Sequence, residues 1–201
     1  MALPKYDKAA RRKSFPQLPK GAYVIKIKNA KEDKWPSGDT YVKMAFDIAE
    51  GEYKDFYQKQ FDADSREDKK WPFDAVYNLN VPTDRSQQYV WDNWNTFFAD
   101  LEDSNSGFVF DGDLKKLSGK VIGGKFANKQ SENNGNVYDH IKLTWTCLAD
   151  DVRSGKPGKM PNDKLVTSGN TEPKQDTQPP ADLDGYMNIP DDITDDEIPF
   201  A

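Results

Sequence analysis

From Thr40 to Ala49 the chain alternates with a period of two: Val42, Met44, Phe46 and Ile48 fall on one side, and Tyr41, Lys43, Ala45 and Asp47 on the other. Side chains of an extended strand point alternately to its two sides, so this run specifies a strand with one side in a core and one facing water. A strand must find hydrogen-bond partners for its backbone, which demands further strands. Tyr23-Val24-Ile25-Lys26-Ile27-Lys28 alternates likewise, and Trp35-Pro36-Ser37-Gly38-Asp39 supplies the turn between the two. Gly51 ends the second run, and Tyr53 to Phe61 reads as a third strand with Tyr57, Lys59 and Phe61 on one side. The opposite register, with Phe56 inward and Tyr57 outward, stays open.

Residues 62–84 read as an irregular loop in which Trp71-Pro72-Phe73 and Tyr77 are embedded in charge; a loop of that length inside a compact domain is usually functional or mobile. Pro82-Thr83-Asp84 then caps a helix from about Arg85 to Glu102, with Val90, Trp94, Phe97, Phe98 and Leu101 at helical spacing. Two strands follow. Lys120 to Lys129 contains Gly123-Gly124, as expected at a sharp bend or a close approach of two backbones. Asn133-Asn134-Gly135-Asn136 is a hairpin turn leading to Val137 to Leu148. The expected fold is mainly β: a five-stranded oligonucleotide-binding barrel in the order β-β-β-α-β-β, with one helix.

Charge divides the chain into segments. The formal net charge is -6, yet residues 181–201 hold seven acids and no Lys or Arg, so the first 180 residues carry +1. The expected organisation is a basic N-terminal arm over residues 1–17, a barrel domain over 18–152, a disordered linker over 153–180 and an acidic protein-interaction tail over 181–201. No apolar run approaches the ~20 residues of a membrane-spanning helix, and no apolar stretch precedes a cleavage site, so a cytoplasmic protein is expected. One Cys and one His exclude an internal disulfide and a Cys/His zinc site within the chain, and no cofactor is expected.

If Val42, Met44, Phe46 and Ile48 fill the core, Tyr41 and Lys43 point outward, with Lys26 and Lys28 beside them. Tyr57, Lys59 and Phe61 complete a surface of rings and ammonium groups. Rings stack on bases, contributing roughly 1–3 kcal/mol each, and cations attract the phosphate backbone; neither reads sequence. Trp35 and Trp71, each beside a proline in a polar loop, either stack on bases or fold over the barrel mouth. The candidate DNA-binding set is therefore Lys26, Lys28, Trp35, Tyr41, Lys43, Tyr57, Lys59, Phe61 and Trp71. The plain alternative is an ordinary solvated face.

The last residues are more specific. Asp191-Asp192-Ile193-Thr194-Asp195-Asp196-Glu197-Ile198-Pro199-Phe200 places acids ahead of a small apolar tip, which suits a partner with a basic ridge beside a hydrophobic pocket. Asp-Asp-Glu-Ile-Pro-Phe at 195–200 resembles the C-terminal peptide of bacterial and phage single-stranded-DNA-binding proteins. Leu18-Pro19-Lys20-Gly21-Ala22-Tyr23-Val24-Ile25-Lys26-Ile27 and Glu50-Gly51-Glu52-Tyr53 look like a phage-encoded group of that family. The resemblance implies binding of single-stranded DNA during replication, recombination and repair, with no enzymatic activity. It further implies docking of a polymerase, helicase or recombinase onto Asp195, Asp196, Glu197, Ile198, Pro199 and Phe200, and it allows a homo-oligomer. Ala201 departs from the family pattern by displacing the terminal carboxylate from Phe200.

Two other classes compete. Asp39, Glu52 and Lys54 form the acid, acid-x-Lys pattern of metal-dependent nucleases, a spacing that arises readily by chance among 34 acids. His140 reads as a strand residue at the barrel surface. An adaptor that uses the same barrel to hold protein instead of DNA would carry an acidic tail equally well.

Overall fold

The computed structural model describes residues 15–166; most of the basic arm, the end of the linker and the acidic tail, with its expected docking residues, lie outside the described residues. Five strands, β1 (Gly21–Lys34), β2 (Thr40–Ile48), β3 (Val76–Asn80), β4 (Val121–Asn133) and β5 (Asn136–Cys147), form one antiparallel sheet in the order β3-β2-β1-β4-β5. Three helices accompany them: α1 (Phe56–Ala63), α2 (Gln88–Asp103) and α3 (Ala149–Arg153). The fold is mainly β, as expected. The hydrogen-bonded ladder stays open between β3 and β5.

The alternation in β2 does what its pattern requires. Val42, Met44, Phe46 and Ile48 are each at most 2% exposed, and they meet Ile25, Ile27, Tyr77, Leu79, Ile122, Phe126 and Leu143 in one core. β1 is long because it serves two partners: Gly21 to Lys26 pair with β4, and Ile25 to Lys34 with β2. A register shift between Ile27 and Asn29 lets it bend from one to the other, leaving Lys28 at the irregularity. Gly123 tolerates no side chain, since a Cβ there would lie 2.6 Å from the Leu148 carbonyl oxygen; this is the close backbone approach read from the sequence. Asn134 and Gly135 both take positive φ, 49° and 77°, which closes the β4–β5 hairpin tightly.

The third strand is not where the sequence placed it. Tyr53 to Phe61 contains α1, and β3 forms later from Val76–Asn80, inside the stretch read as a loop. The cause is Asp47, which is 1% exposed on β2 and accepts hydrogen bonds from Tyr57 N and Gln58 N. Those are amides that a helix start leaves unpaired, and Asp55, the residue before the helix, offers no side-chain cap. Asp47 therefore caps α1 from a neighbouring strand. Burial raises the Asp47 pKa, opposed by these amide bonds. α2 begins at Gln88 instead of Arg85, because Thr83 and Ser86 first close a separate turn. Its Phe97, Phe98 and Leu101 are buried, with Tyr77 stacked on Phe97 and Phe110 on Phe98.

Residues 156–166, read as linker, run back along β4. Lys164 N donates to Asn128 O, Gln130 N donates to Lys164 O, and Lys20 pairs with Asp163 at 2.7 Å.

Candidate nucleic-acid interface

Alternation on β2 fixes an outward side made of Tyr41, Lys43, Ala45 and Asp47. The ladder aligns these with Asp33, Lys31, Asn29 and Lys26 on β1, and aligns Tyr41, Lys43 and Ala45 with Asn80, Asn78 and Val76 on β3. Lys31 and Lys43 thus stand directly opposite each other. Like charges in that position repel, and at Lys31 the repulsion is offset by Asp33, whose Oδ2 lies 3.9 Å from Lys31 Nζ.

An aromatic group sits at each end of this side. At the start of β2, Trp35 stacks on Tyr41, with ring centroids 4.1 Å apart and planes 25° apart. The Trp35 indole N–H donates to Asn80 Oδ1 at 2.9 Å, and the Trp35–Asp39 and Gly38–Trp35 backbone bonds lock the turn that carries it. Tyr41 points outward as expected but is 6% exposed beneath Trp35, so Trp35 is the ring of this pair that a base can reach. At the far end, the Trp71 indole N–H donates to Phe46 O at 3.2 Å, where β3 no longer pairs with β2. Trp71 packs against Phe61, with centroids 5.6 Å apart, while Lys28 Nζ lies 5.9 Å from the Trp71 ring and Lys69 Nζ 4.6 Å from the Phe61 ring. Tyr41 and Phe46 are five residues apart, so the two groups are separated by about 17 Å of strand, with Lys43 and Lys31 between them.

Not every expected residue belongs here. Tyr57 is 2% exposed in α1, against Phe46, with its hydroxyl buried and unpaired among the described residues. It is core, not a stacking residue, because α1 replaces the expected strand. Lys59 lies on α1 with Nζ donating to Lys54 O at 2.8 Å, away from any strand face. Phe61 belongs to the site from that same helix, through its contact with Trp71. Lys26 faces Asp47 near α1, beyond the Lys31–Lys43 pair.

The unpaired edge between β3 and β5 brings Asp74 and Lys142, which the candidate set left out, together with His140, which lies on a strand as read from the sequence. His140, half-buried on β5, meets Asp74 Oδ1 at 3.1 Å through Nδ1, and Lys142 Nζ lies 2.9 Å from the centroid of the Phe73 ring. Burial lowers the Lys142 pKa to about 7, with the Lys129 and Lys43 charges adding to the shift and Asp74 opposing it. Burial, with the Lys164 charge beside it, lowers Lys129 to about 8. The available signal was the alternation Ala75-Val76-Tyr77-Asn78-Leu79, which marks β3 and would have placed Phe73 and Asp74 at its start.

The acid, acid-x-Lys set is not assembled. Asp39 lies before β2 and Glu52 and Lys54 after it, some 25 Å apart along a nine-residue strand. Among the described residues, no three His, Cys, Asp or Glu side chains are placed to hold a metal ion, and no helix is long and apolar enough to cross a membrane. Compared with known proteins, the chain matches no protein-family model, and no curated protein matches it.

Proposed function

We propose that this protein binds single-stranded DNA stoichiometrically and without sequence preference, along the outward side of β1, β2 and β3, and recruits replication or recombination proteins through its C-terminal tip. The observation that carries the reading is the facing pair Lys31 and Lys43 between two anchored tryptophans, Trp35 and Trp71. Rings at both ends stack on bases, and cations between them neutralise phosphates; a duplex, whose bases are already stacked, does not fit such a surface. Strand order and the position of α2 between β3 and β4 suit the partly open five-stranded barrel that binds oligonucleotides on its second and third strands. The ending at 195–200 supports the recruiting role, and the setting proposed is the cytoplasm, in a phage-infected host.

Titration with oligo-dT tests the reading, followed by tryptophan fluorescence. Quenching that is strong in dilute buffer and fades as salt rises is expected, and Trp35→Ala and Trp71→Ala should each weaken binding by roughly 1–3 kcal/mol. An adaptor that holds protein would leave the fluorescence unmoved at every salt concentration. Removing residues 190–201 should abolish capture of a replication partner while leaving oligo-dT bound.

A further inference from the structure

Asn80 ends β3 directly opposite Tyr41, on the outward side of the sheet and beside the Trp35 ring that covers Tyr41. Its side chain is exposed, and an exposed amide ordinarily keeps its rotamer freedom. Here it is held. The Trp35 indole N–H is a donor only, so the atom it meets at 2.9 Å is the amide oxygen of Asn80, which distinguishes the two ends of the amide. The Asn80 NH2 group consequently faces away from the indole and has no acceptor among the described residues. Trp35 is itself fixed: its backbone N–H donates to Asp39 O at 2.9 Å, its carbonyl accepts from Gly38 N at 2.8 Å, and one face of its ring is stacked on Tyr41. The outer face of Trp35 and the free Asn80 NH2 therefore form a stacking platform with a hydrogen-bond donor oriented at its edge.

We propose that this donor reads a base: a base stacked on Trp35 accepts a hydrogen bond from the Asn80 amide at a ring carbonyl, which favours thymine over adenine at this one position. Every base offers a π face, so stacking alone does not discriminate. Carbonyl oxygens do, because thymine carries them on both sides of its ring and adenine carries none. The usual asparagine reading of adenine is a fork in which the amide oxygen accepts from N6 while the NH2 group donates to N7. Trp35 holds the oxygen end of that fork, and turning the amide toward adenine would break the bond that anchors the indole. The inference rests on the single-strand-binding reading and refines it. The rest of the track takes any sequence, and a mild preference arises only where a ring and an oriented amide meet.

Labelled oligo-dT and oligo-dA of one length, titrated with the full chain and followed by fluorescence anisotropy, test the assignment. The readout is the ratio of the two affinities in wild type against the same ratio in a variant, so the self-stacking of free oligo-dA cancels. Asn80→Asp keeps an oxygen for the Trp35 indole, replaces the donor by a second acceptor, and adds a charge that weakens both homopolymers alike. The preference for dT should fall roughly three- to tenfold in that variant, as expected from the loss of one hydrogen bond, and move toward dA, whose amino group a carboxylate accepts. Asn80→Ala, which removes the donor without adding charge, should lower the ratio as well; circular dichroism confirms that both variants are folded. An amide that only props Trp35 would weaken both homopolymers together. An unchanged ratio in both variants, with both strands still bound, therefore overturns the base reading and leaves the single-strand reading intact. Binding of neither homopolymer by the wild type refutes both.

Discussion

Lys43 and Tyr57 both alternate with apolar neighbours in the sequence, yet they do opposite work. Lys43 is held outward by β2 with Lys31 facing it, and Lys43→Ala should weaken oligo-dT binding and reduce the salt slope by about one, as removal of one phosphate contact does. Tyr57→Phe removes a hydroxyl that is buried and unpaired among the described residues. That change should leave DNA affinity unaltered and keep stability level or raise it, by about 1 kcal/mol at most, in urea denaturation. A clear loss of oligo-dT affinity in Tyr57→Phe would return that residue to the binding surface.

At the scale of elements, α1 depends on a residue that is not part of it. Asp47→Ala takes away the acceptor of the Ile48, Tyr57 and Gln58 amides, and a cost of about 1–3 kcal/mol is expected from the orphaned donors. Because α1 carries Phe61, the same substitution should lower affinity for oligo-dT through the Trp71 cluster, measurable as weaker quenching in protein that is still folded. The β4–β5 pair depends on an absent side chain. Gly123→Ala forces a methyl group to within 3 Å of two backbone carbonyls, so the thermal midpoint should drop by several degrees.

At the scale of the whole molecule, side chains join the two edges that the backbone leaves apart, with Phe73 and Asp74 meeting His140 and Lys142. This closure has a pH signature. The folded-state pKa of Lys142 lies near 7, below the ordinary lysine value of 10.5, so the folded chain binds fewer protons there than the unfolded one. The stability that this lysine leaves intact at pH above 10 is lost progressively as pH falls toward 7. Lys142→Met should therefore stabilise the ligand-free protein, by about 1–4 kcal/mol at pH 6 and by little at pH 10. Paired chemical denaturation curves at the two pH values check it, and an equal gain at both would show that the lysine is solvated and charged throughout.

Local patterns were legible in the sequence wherever one period won outright. The β2 alternation, the turn at Asn134-Gly135, the close approach at Gly123 and the apolar stripe of α2 all follow from neighbours within a few residues. Tyr53 to Phe61 fits both periods: Tyr57, Lys59 and Phe61 alternate, while Tyr53, Phe56, Tyr57 and Phe61 also recur at helical spacing. Asp47, ten residues before Tyr57, decides between them, and no window read along the chain contains that decision. The site divides in the same way. Trp35, Tyr41, Lys43, Lys28 and Trp71 stood out as candidates along the chain, but that Trp35 covers Tyr41, that Lys28 meets Trp71, that Trp35 meets Asn80 and that Lys142 meets Phe73 follows only from the pairing of distant strands. Periodicity is a property of adjacent residues, set by backbone geometry and contact with water. Which faces meet is set by pairing between distant strands, and only the folded sheet contains it.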